Sequence, residues 1–388
     1  MSARSRTSRL PRLAVVAWSV ALVALALLAV AVWHYLSGSG GGGMGGMDMG
    51  GAHEHPSVVD ALSRAGAEPF GPLLGTKLFT AWHLDALALA LLVLFTAWYL
   101  TCVALVSVRR PGSRWPPART FCFLGGIAVC AFATNGSIAV YDQVLFSAHM
   151  VGHLALVMVG PALLVAGQPL RLAIESSPAD RAERITRIVT GRVMSLLTAP
   201  PVALATYTVV IVGSHLTGVM DDIMRNSWAG QVEHLVYVVA GYQFFVLVVG
   251  NEPIRWRMAA PARWLLLAVA MAVDTFTGIV LMQGTSPIEL LSTPGVHVDA
   301  LSDTRTGGAI MWFGGDAIMA VVMVVLVIGW LRRVDTHEAD EKGWLEQARR
   351  ATFAEHTGTE ADDPETFDDD DVARTSYNEW LTKLEQQG

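Results

Sequence analysis

Long apolar segments recur along this chain and restrict it to one class of fold. Seven of them, each near the length that crosses a bilayer, cover residues 79–107, 120–140, 149–170, 193–214, 231–250, 264–283 and 307–330. A further apolar run covers residues 13–33. Lipid offers no hydrogen-bond partners to the backbone, so segments of this kind are helical. The sequence predicts an all-α, polytopic membrane helical bundle with a seven-span core plus an N-terminal signal-anchor span.

Composition divides the chain into four parts. Residues 1–36 form the predicted anchor span, and residues 37–75 form a glycine-rich, flexible extracytoplasmic arm. Residues 76–330 form the seven-span membrane domain, and residues 331–388 form an acidic cytoplasmic tail. The basic start also fits a cleaved signal peptide, with a small-x-small pattern at residues 29–31. The apolar run is longer than the core of an ordinary signal peptide, which favours an uncleaved anchor.

Basic residues are concentrated in alternate connecting segments. If the N-terminus is cytoplasmic, the cytoplasmic segments hold 23 Lys and Arg residues and the outer segments hold 4. Cytoplasmic loops of membrane proteins carry an excess of this kind. The distribution predicts a multi-pass membrane protein with both termini in the cytoplasm.

The net charge of −7 belongs to the tail. Residues 331–388 hold 16 acidic and 7 basic side chains, whereas residues 1–330 hold 18 and 20. A membrane domain so close to neutral lacks the basic surface that binds nucleic acid. Cys102, Cys122 and Cys130 lie inside predicted spans without a CxxC motif, so neither a disulfide framework nor a thiolate metal site is expected.

The arm contains side chains that bind copper. Residues 37–56 are SGSGGGGMGGMDMGGAHEHP, a flexible composition that carries thioethers and imidazoles. Thioether ligands suit Cu(I). The alternative is a disordered spacer with incidental methionines, although exposed methionine oxidises readily. We predict copper capture in the arm by Met44, Met47, Met49, His53 and His55.

Histidines from several predicted spans lie at one depth, near the outer surface. His149 and His153 are four residues apart and therefore share one face of a helix. Ionisable groups within a membrane are costly and usually functional, although a single histidine there can also be an interfacial residue bonded to a headgroup or to backbone. Two imidazoles on one face form a metal clamp. We predict metal ligation by His83, His149, His153, His215 and His234.

Carboxylates accompany these histidines. Asp85 follows His83 by two residues and Glu233 precedes His234, so each is a candidate to orient a ligand ring through its second nitrogen. Asp274 lies deeper within a span, where a polar network or a proton path is the usual reason for a carboxylate.

Several short motifs occur in the order that is typical of one family. They are HMVGHLALVMVGPALLVAGQP at residues 149–169, WPPAR at residues 115–119 and DTRTGGAIMW at residues 303–312. Together they resemble the CtaG-type (caa3-type) cytochrome c oxidase assembly factors of bacteria, over about residues 75–330. Ser214-His215 stands where that family often has Trp-His.

The resemblance implies a copper-binding assembly factor, a metallochaperone of the respiratory chain in the bacterial plasma membrane. His149, His153, His215 and His234 take the ligand role by position. The expected ion is Cu(I), and the expected partners are cytochrome c oxidase subunits, extracytoplasmic copper carriers and the lipid bilayer.

Other functions stay open at this point. They are a haem-binding protein with His153 and His234 as axial ligands, a copper transporter, and a purely structural accessory protein of the respiratory chain. The sequence contains no catalytic triad, phosphate-binding loop or zinc-protease motif, so we do not expect an enzyme.

Overall fold

The computed structural model describes residues 84–110, 114–142, 144–217, 227–249, 252–288 and 299–332, together with Trp82, Val219 and a few tail positions. Every regular element in these ranges is a helix. The predicted anchor span, the Met/His arm, His83 and nearly all of the tail lie outside the described residues, so the predictions made for them stay predictions.

The helices of the described ranges follow one another along the chain. They are α1 (Ala86–Arg109), α2 (Pro117–Asn135), α3 (Ser137–Tyr141), α4 (Phe146–Leu154), α5 (Gly160–Ala166), α6 (Pro169–Ser176), α7 (Ala179–Val189), α8 (Arg192–Leu197), α9 (Pro200–Leu216), α10 (Ser227–Val249), α11 (Ala260–Gln283) and α12 (Ala300–Ala309). A π-helical segment, Ala155–Val159, joins α4 to α5. A second one, Ile310–Gly314, continues α12 into a helix that ends at Arg332.

Six helices within the described ranges are long and apolar enough to cross a membrane. They are Ala86–Arg109, Pro117–Tyr141, Phe146–Ser176, Ala229–Val249, Ala260–Gln283 and Ala300–Arg332. The polytopic helical membrane bundle is therefore confirmed. The predicted span 193–214 is divided instead, because the chain breaks after α8 and a new helix of 17 residues, α9, begins at Pro200. Proline is well suited to the first turn of a helix but not to its interior, which explains the break.

The segment that carries His149 and His153 lies at the centre of the bundle. The chain divides after Val322 into two units, and this segment belongs to the first. In the Phe146–Ser176 helix, 67% of the apolar window is buried, against 33% in α1. It packs against α2, α10 and α12. Its π-helical turn comes directly after α4, and such turns frequently occur at functional sites.

Glycine allows two neighbouring helices to reach this central segment closely. A Cβ atom on Gly241 of α10 would lie 2.1 Å from the carbonyl oxygen of Val157 and 2.8 Å from Cγ of Pro161. A Cβ atom on Gly307 of α12 would lie 2.4 Å from the ring of Phe146. Small residues at such crossings let helix backbones approach in a membrane. The positions of α10 and α12 against the histidine segment therefore depend on these glycines.

A buried carboxylate closes the opposite end of the central segment. Glu252 lies in the connection between α10 and α11 and caps α6, accepting hydrogen bonds from the backbone N–H groups of Leu170 (3.1 Å) and Arg171 (2.9 Å). Burial raises the pKa of Glu252 to about 7, because desolvation disfavours the carboxylate, while the two N–H donors oppose that rise.

The buried Glu252 carboxyl group should make the free energy of unfolding depend on pH. Folded Glu252 keeps its proton to a higher pH than the unfolded chain does, so stability should fall as pH rises from its ordinary pKa of 4.5 to about 7. Each pKa unit is worth about 1.4 kcal/mol, so the effect is on the order of a few kcal/mol. The Glu252→Gln variant should lose this dependence in thermal unfolding of the detergent-purified protein. Glu183→Gln, which removes an exposed carboxylate, should keep the wild-type profile, and an unchanged profile for Glu252→Gln would contradict the prediction.

Candidate metal centre

Three buried imidazoles meet between α4 and α9. His149 and His153 lie one turn apart on α4, and His215 lies in the last turn of α9. The ring centroid of His215 is 4.6 Å from that of His153 and 6.3 Å from that of His149. The three residues are 4% (His149), 2% (His153) and 4% (His215) exposed. We call them the three-histidine cluster.

Helical spacing explains why these rings face the interior. His149 and His153 are four residues apart, and Tyr207, Ile211 and His215 repeat the same spacing along α9. All five side chains are buried. The buried faces of α4 and α9 therefore bring the three imidazoles together between the two helices.

Four ring nitrogens of the cluster have no hydrogen-bond partner within the described part of the chain. They are Nε2 of His149, Nδ1 and Nε2 of His153, and Nε2 of His215. Buried polar atoms are almost always paired, because an unpaired one costs its full desolvation energy. A neutral imidazole has a lone pair on one nitrogen, and this lone pair is what a metal ion binds. The unpaired nitrogens fit a soft or borderline metal ion such as copper.

His215 is held in the tautomer that a metal ligand needs. Its Nδ1 lies 2.8 Å from the carbonyl oxygen of Ile211 and 2.7 Å from Oγ of Ser214. A carbonyl oxygen only accepts hydrogen bonds, so Nδ1 carries the hydrogen and Nε2 keeps its lone pair. Metal-bound histidines usually donate their second N–H to such a carbonyl.

A carboxylate borders the cluster from α10. Oε1 of Glu233 lies 3.7 Å from Nε2 of His149, and the residue is 6% exposed. The hydroxyl of Tyr237, one turn later on α10, donates a hydrogen bond to Glu233. The ring of Tyr237 also contacts His153 edge to face, with centroids 4.4 Å apart. The same two side chains therefore contact both histidines of α4.

A second carboxylate fixes the start of α4. Asp303 of α12 accepts a hydrogen bond from the backbone N–H of Phe146 (2.6 Å) and another from Oγ of Ser147 (2.5 Å). The first N–H groups of a helix have no partner within it, so Asp303 serves as a cap supplied by another helix. The Phe146 ring in turn stacks near His149, with centroids 6.2 Å apart. Asp303 thus positions the helix that carries two of the three imidazoles.

The cluster is close to, but not already at, the geometry of a bound ion. Among the described residues no three His, Cys, Asp or Glu side chains are placed as ligands of one metal ion. Two imidazoles on one ion, with metal–nitrogen distances of about 2.0–2.1 Å, have ring centroids roughly 5–6 Å apart. The observed 4.6 and 6.3 Å bracket that range.

The remaining predicted residues are placed differently. Nε2 of His234 lies 4.0 Å from Oδ2 of Asp142, and His234 is also close enough to His149 to interact with it electrostatically. Glu233, predicted to orient His234, lies 3.7 Å from Nε2 of His149 and also interacts electrostatically with His234. Asp85, predicted to accompany His83, caps α1 by accepting hydrogen bonds from the N–H groups of Leu87 and Ala88. His83 and the arm ligands lie outside the described residues.

A deeper polar pair occupies the interior below the cluster along α9. The Tyr207 hydroxyl donates to the Asp274 carboxylate of α11, at 3.0 and 3.2 Å, and both residues are fully buried. Next to it, Oγ1 of Thr275 donates to Asp316 at 3.1 and 3.2 Å. The expected polar network at Asp274 is therefore present as hydrogen-bonded pairs, whereas a proton path stays a prediction.

Comparison with known proteins identifies the family. A family model described as cytochrome c oxidase caa3 assembly factor matches residues 78–333, about two-thirds of the chain. The chain belongs to this family. The resemblance drawn from the short motifs is thereby confirmed.

Proteins of several mycobacteria are similar to this chain. Uncharacterized proteins of Mycobacterium bovis and Mycobacterium tuberculosis are each 29% identical over 268 residues, which cover 66% of this chain and 40% of the relative. An uncharacterized protein of Mycobacterium leprae is 28% identical over 324 residues, covering 79% of this chain and 45% of the relative. The chain thus spans less than half the length of these relatives. No solved structure matches it.

Sequence reasoning missed two contributors to the centre. Tyr237 follows Glu233 by four residues, so its helical spacing was a usable signal for a shared face. The capping role of Asp303 had no such signal, because it joins residues 157 positions apart. The π-helical turn after α4, which packs against α2 and α10, had no such signal either.

Proposed function

We propose that this assembly factor binds copper as Cu(I) in the three-histidine cluster and helps deliver it to cytochrome c oxidase from the extracytoplasmic side. The observation that carries the proposal is the set of four buried, unpaired ring nitrogens on three adjacent imidazoles. Imidazole is a good copper ligand, and nothing else in the described structure satisfies these atoms.

Delivery requires a site that also releases its ion. The rings of His153 and His215 lie with centroids 4.6 Å apart, near the separation of two imidazoles on one ion, and an open ligand set of this kind would allow release. A partner subunit can then replace one imidazole at a time, by ligand exchange. The arm, with Met44, Met47, Met49, His53 and His55, is the proposed collector of copper from extracytoplasmic carriers.

Orientation is part of the proposal. The positive-inside distribution places the start of α4 and the end of α9 at the outer leaflet of the bacterial plasma membrane. Both termini are then cytoplasmic. Copper would be handed over near the outer surface without crossing the bilayer, in a non-enzymatic exchange of ligands.

The haem alternative has less support. The closest pair, His153 and His215, meets edge to face with centroids 4.6 Å apart, which leaves no space for a porphyrin between the rings. The predicted axial pair used His234, which instead faces Asp142. A visible absorption band in the purified protein would favour haem over copper.

The test uses cells that lack this protein. The wild-type chain should restore the copper content and activity of the isolated oxidase, and a His153→Ala chain present at equal amounts should not. Tail variant His337→Ala, which removes an imidazole far along the sequence, is the matched control and should restore both. Full restoration by His153→Ala would overturn the copper role and leave a structural accessory function. Copper uptake into sealed vesicles would instead indicate a transporter.

A further inference from the structure

The Glu233 carboxylate is buried without a cationic partner. In the described structure it accepts a hydrogen bond from the Tyr237 hydroxyl and lies 3.7 Å from Nε2 of His149. It also interacts electrostatically with His215 and His234. Neither Lys nor Arg pairs with it among the described residues. A buried carboxylate without a counter-ion is costly, and burial of this kind in a membrane usually marks function.

The three-histidine cluster and Glu233 can both donate electron pairs to a cation at this place. The three-histidine cluster contributes ring lone pairs, and Glu233 contributes a negative charge when a cation bound beside it offsets the cost of burying the carboxylate. An arrangement of lone pairs and one carboxylate attracts a cation, and the attraction is strong in a medium of low dielectric constant. The structure thus combines neutral ligands with a single negative charge.

One negative charge neutralises one positive charge. A monovalent ion bound by neutral imidazoles beside Glu233 leaves no net charge in the buried site. A divalent ion leaves a net positive charge there, which the low-dielectric surroundings penalise. The single negative charge of Glu233 therefore favours a monovalent over a divalent ion, whereas imidazole ligands alone bind several metal ions.

We infer that Glu233 is the counter-charge of the metal site and matches that site to a monovalent cation. This inference rests on the copper function proposed above. It adds Glu233 as the residue that favours Cu(I) over Cu(II) in the site. Tyr237 is a positioning residue, because its hydroxyl holds the carboxylate toward His149 while its ring packs against His153.

The test measures the affinity of the full-length, detergent-purified protein for Ag(I), which is a redox-inert monovalent probe. Binding that persists in His149→Ala/His153→Ala is subtracted as the contribution of the arm. Glu233→Gln should bind Ag(I) about 10–100-fold more weakly than wild type, the range for residues that contact metal ligands. Glu233→Asp, which keeps the charge, should retain part of the affinity. Asp142→Asn, which alters the carboxylate facing His234, is the matched control and should bind like wild type.

Stability without metal separates a counter-charge from a structural role. Removing a buried anion that has no cationic partner should leave the thermal unfolding temperature of the metal-free protein unchanged or raise it. A structural role predicts a lower temperature for Glu233→Gln instead. Wild type should also prefer Ag(I) over Zn(II) in direct competition.

The outcomes are distinguishable. If wild type binds no more Ag(I) than the double-histidine variant, both the copper site and this inference fail. If wild type binds Ag(I) and Glu233→Gln binds it equally well, only the inference fails. Displacement of Ag(I) by an equal concentration of Zn(II) would likewise overturn the match to a monovalent ion.

Discussion

The His149→Ala/His153→Ala variant should lose the Cu(I) that the purified protein holds within the membrane domain. The two substitutions remove three of the four unpaired nitrogens of the cluster and leave His215 alone. Changes outside a ligand set already cost about 10–100-fold in metal affinity, so removing two ligands should cost more than about 100-fold.

Elemental analysis of detergent-purified protein loaded with Cu(I) measures this loss. The matched control is His337→Ala/His356→Ala, which removes the same number of imidazoles from the tail. A deletion of residues 37–56 reports the copper bound by the arm. If the double variant at His149 and His153 keeps as much copper as wild type once the arm is deleted, the cluster is not the binding site.

The same variant should remain folded. Alanine removes polar atoms that have no partner, and that gain offsets part of the cost of the cavity left by the rings. Its thermal unfolding temperature should therefore fall by less than two ring-sized cavities alone would predict, and a folded variant separates loss of copper from loss of structure.

Substitution of Gly241 by alanine should strongly destabilise the membrane domain. The new Cβ atom would lie 2.1 Å from the carbonyl oxygen of Val157, a backbone atom that cannot move aside alone. Overpacking commonly costs about 1–3 kcal/mol and sometimes more, and here α10 must shift as a whole. Because α10 carries Glu233 and Tyr237, the shift should also weaken metal binding.

Thermal unfolding in detergent and metal affinity are the two measurements for Gly241→Ala. The matched control is Gly230→Ala on the same helix, where a Cβ atom meets nothing within 4 Å. That control should be neutral or stabilise by up to about 1 kcal/mol, because alanine has the higher helix propensity. Equal unfolding temperatures for the two variants would show that α10 does not need this close approach.

The sequence alone determined the class of fold and the family. Apolar segments of spanning length leave a helix as the only way to satisfy the backbone in lipid, so the helical membrane bundle followed directly. Period-four spacing placed His149 and His153 on one face for the same local reason. Helix boundaries were not determined in the same way. The sequence predicted one span over residues 193–214, because the composition stays apolar across the break, but a new helix begins at Pro200.

The tertiary structure decided which groups meet. Adjacent residues on a helix point in different directions, so Glu233 turned toward His149 on α4 while His234 turned toward Asp142. Asp303 capping α4 and Gly241 resting on Val157 are contacts between residues far apart in sequence, set by how helices cross. Local spacing fixes a residue's face, but only the packing of helices fixes what that face contacts. For this protein that packing brings three imidazoles and one carboxylate together.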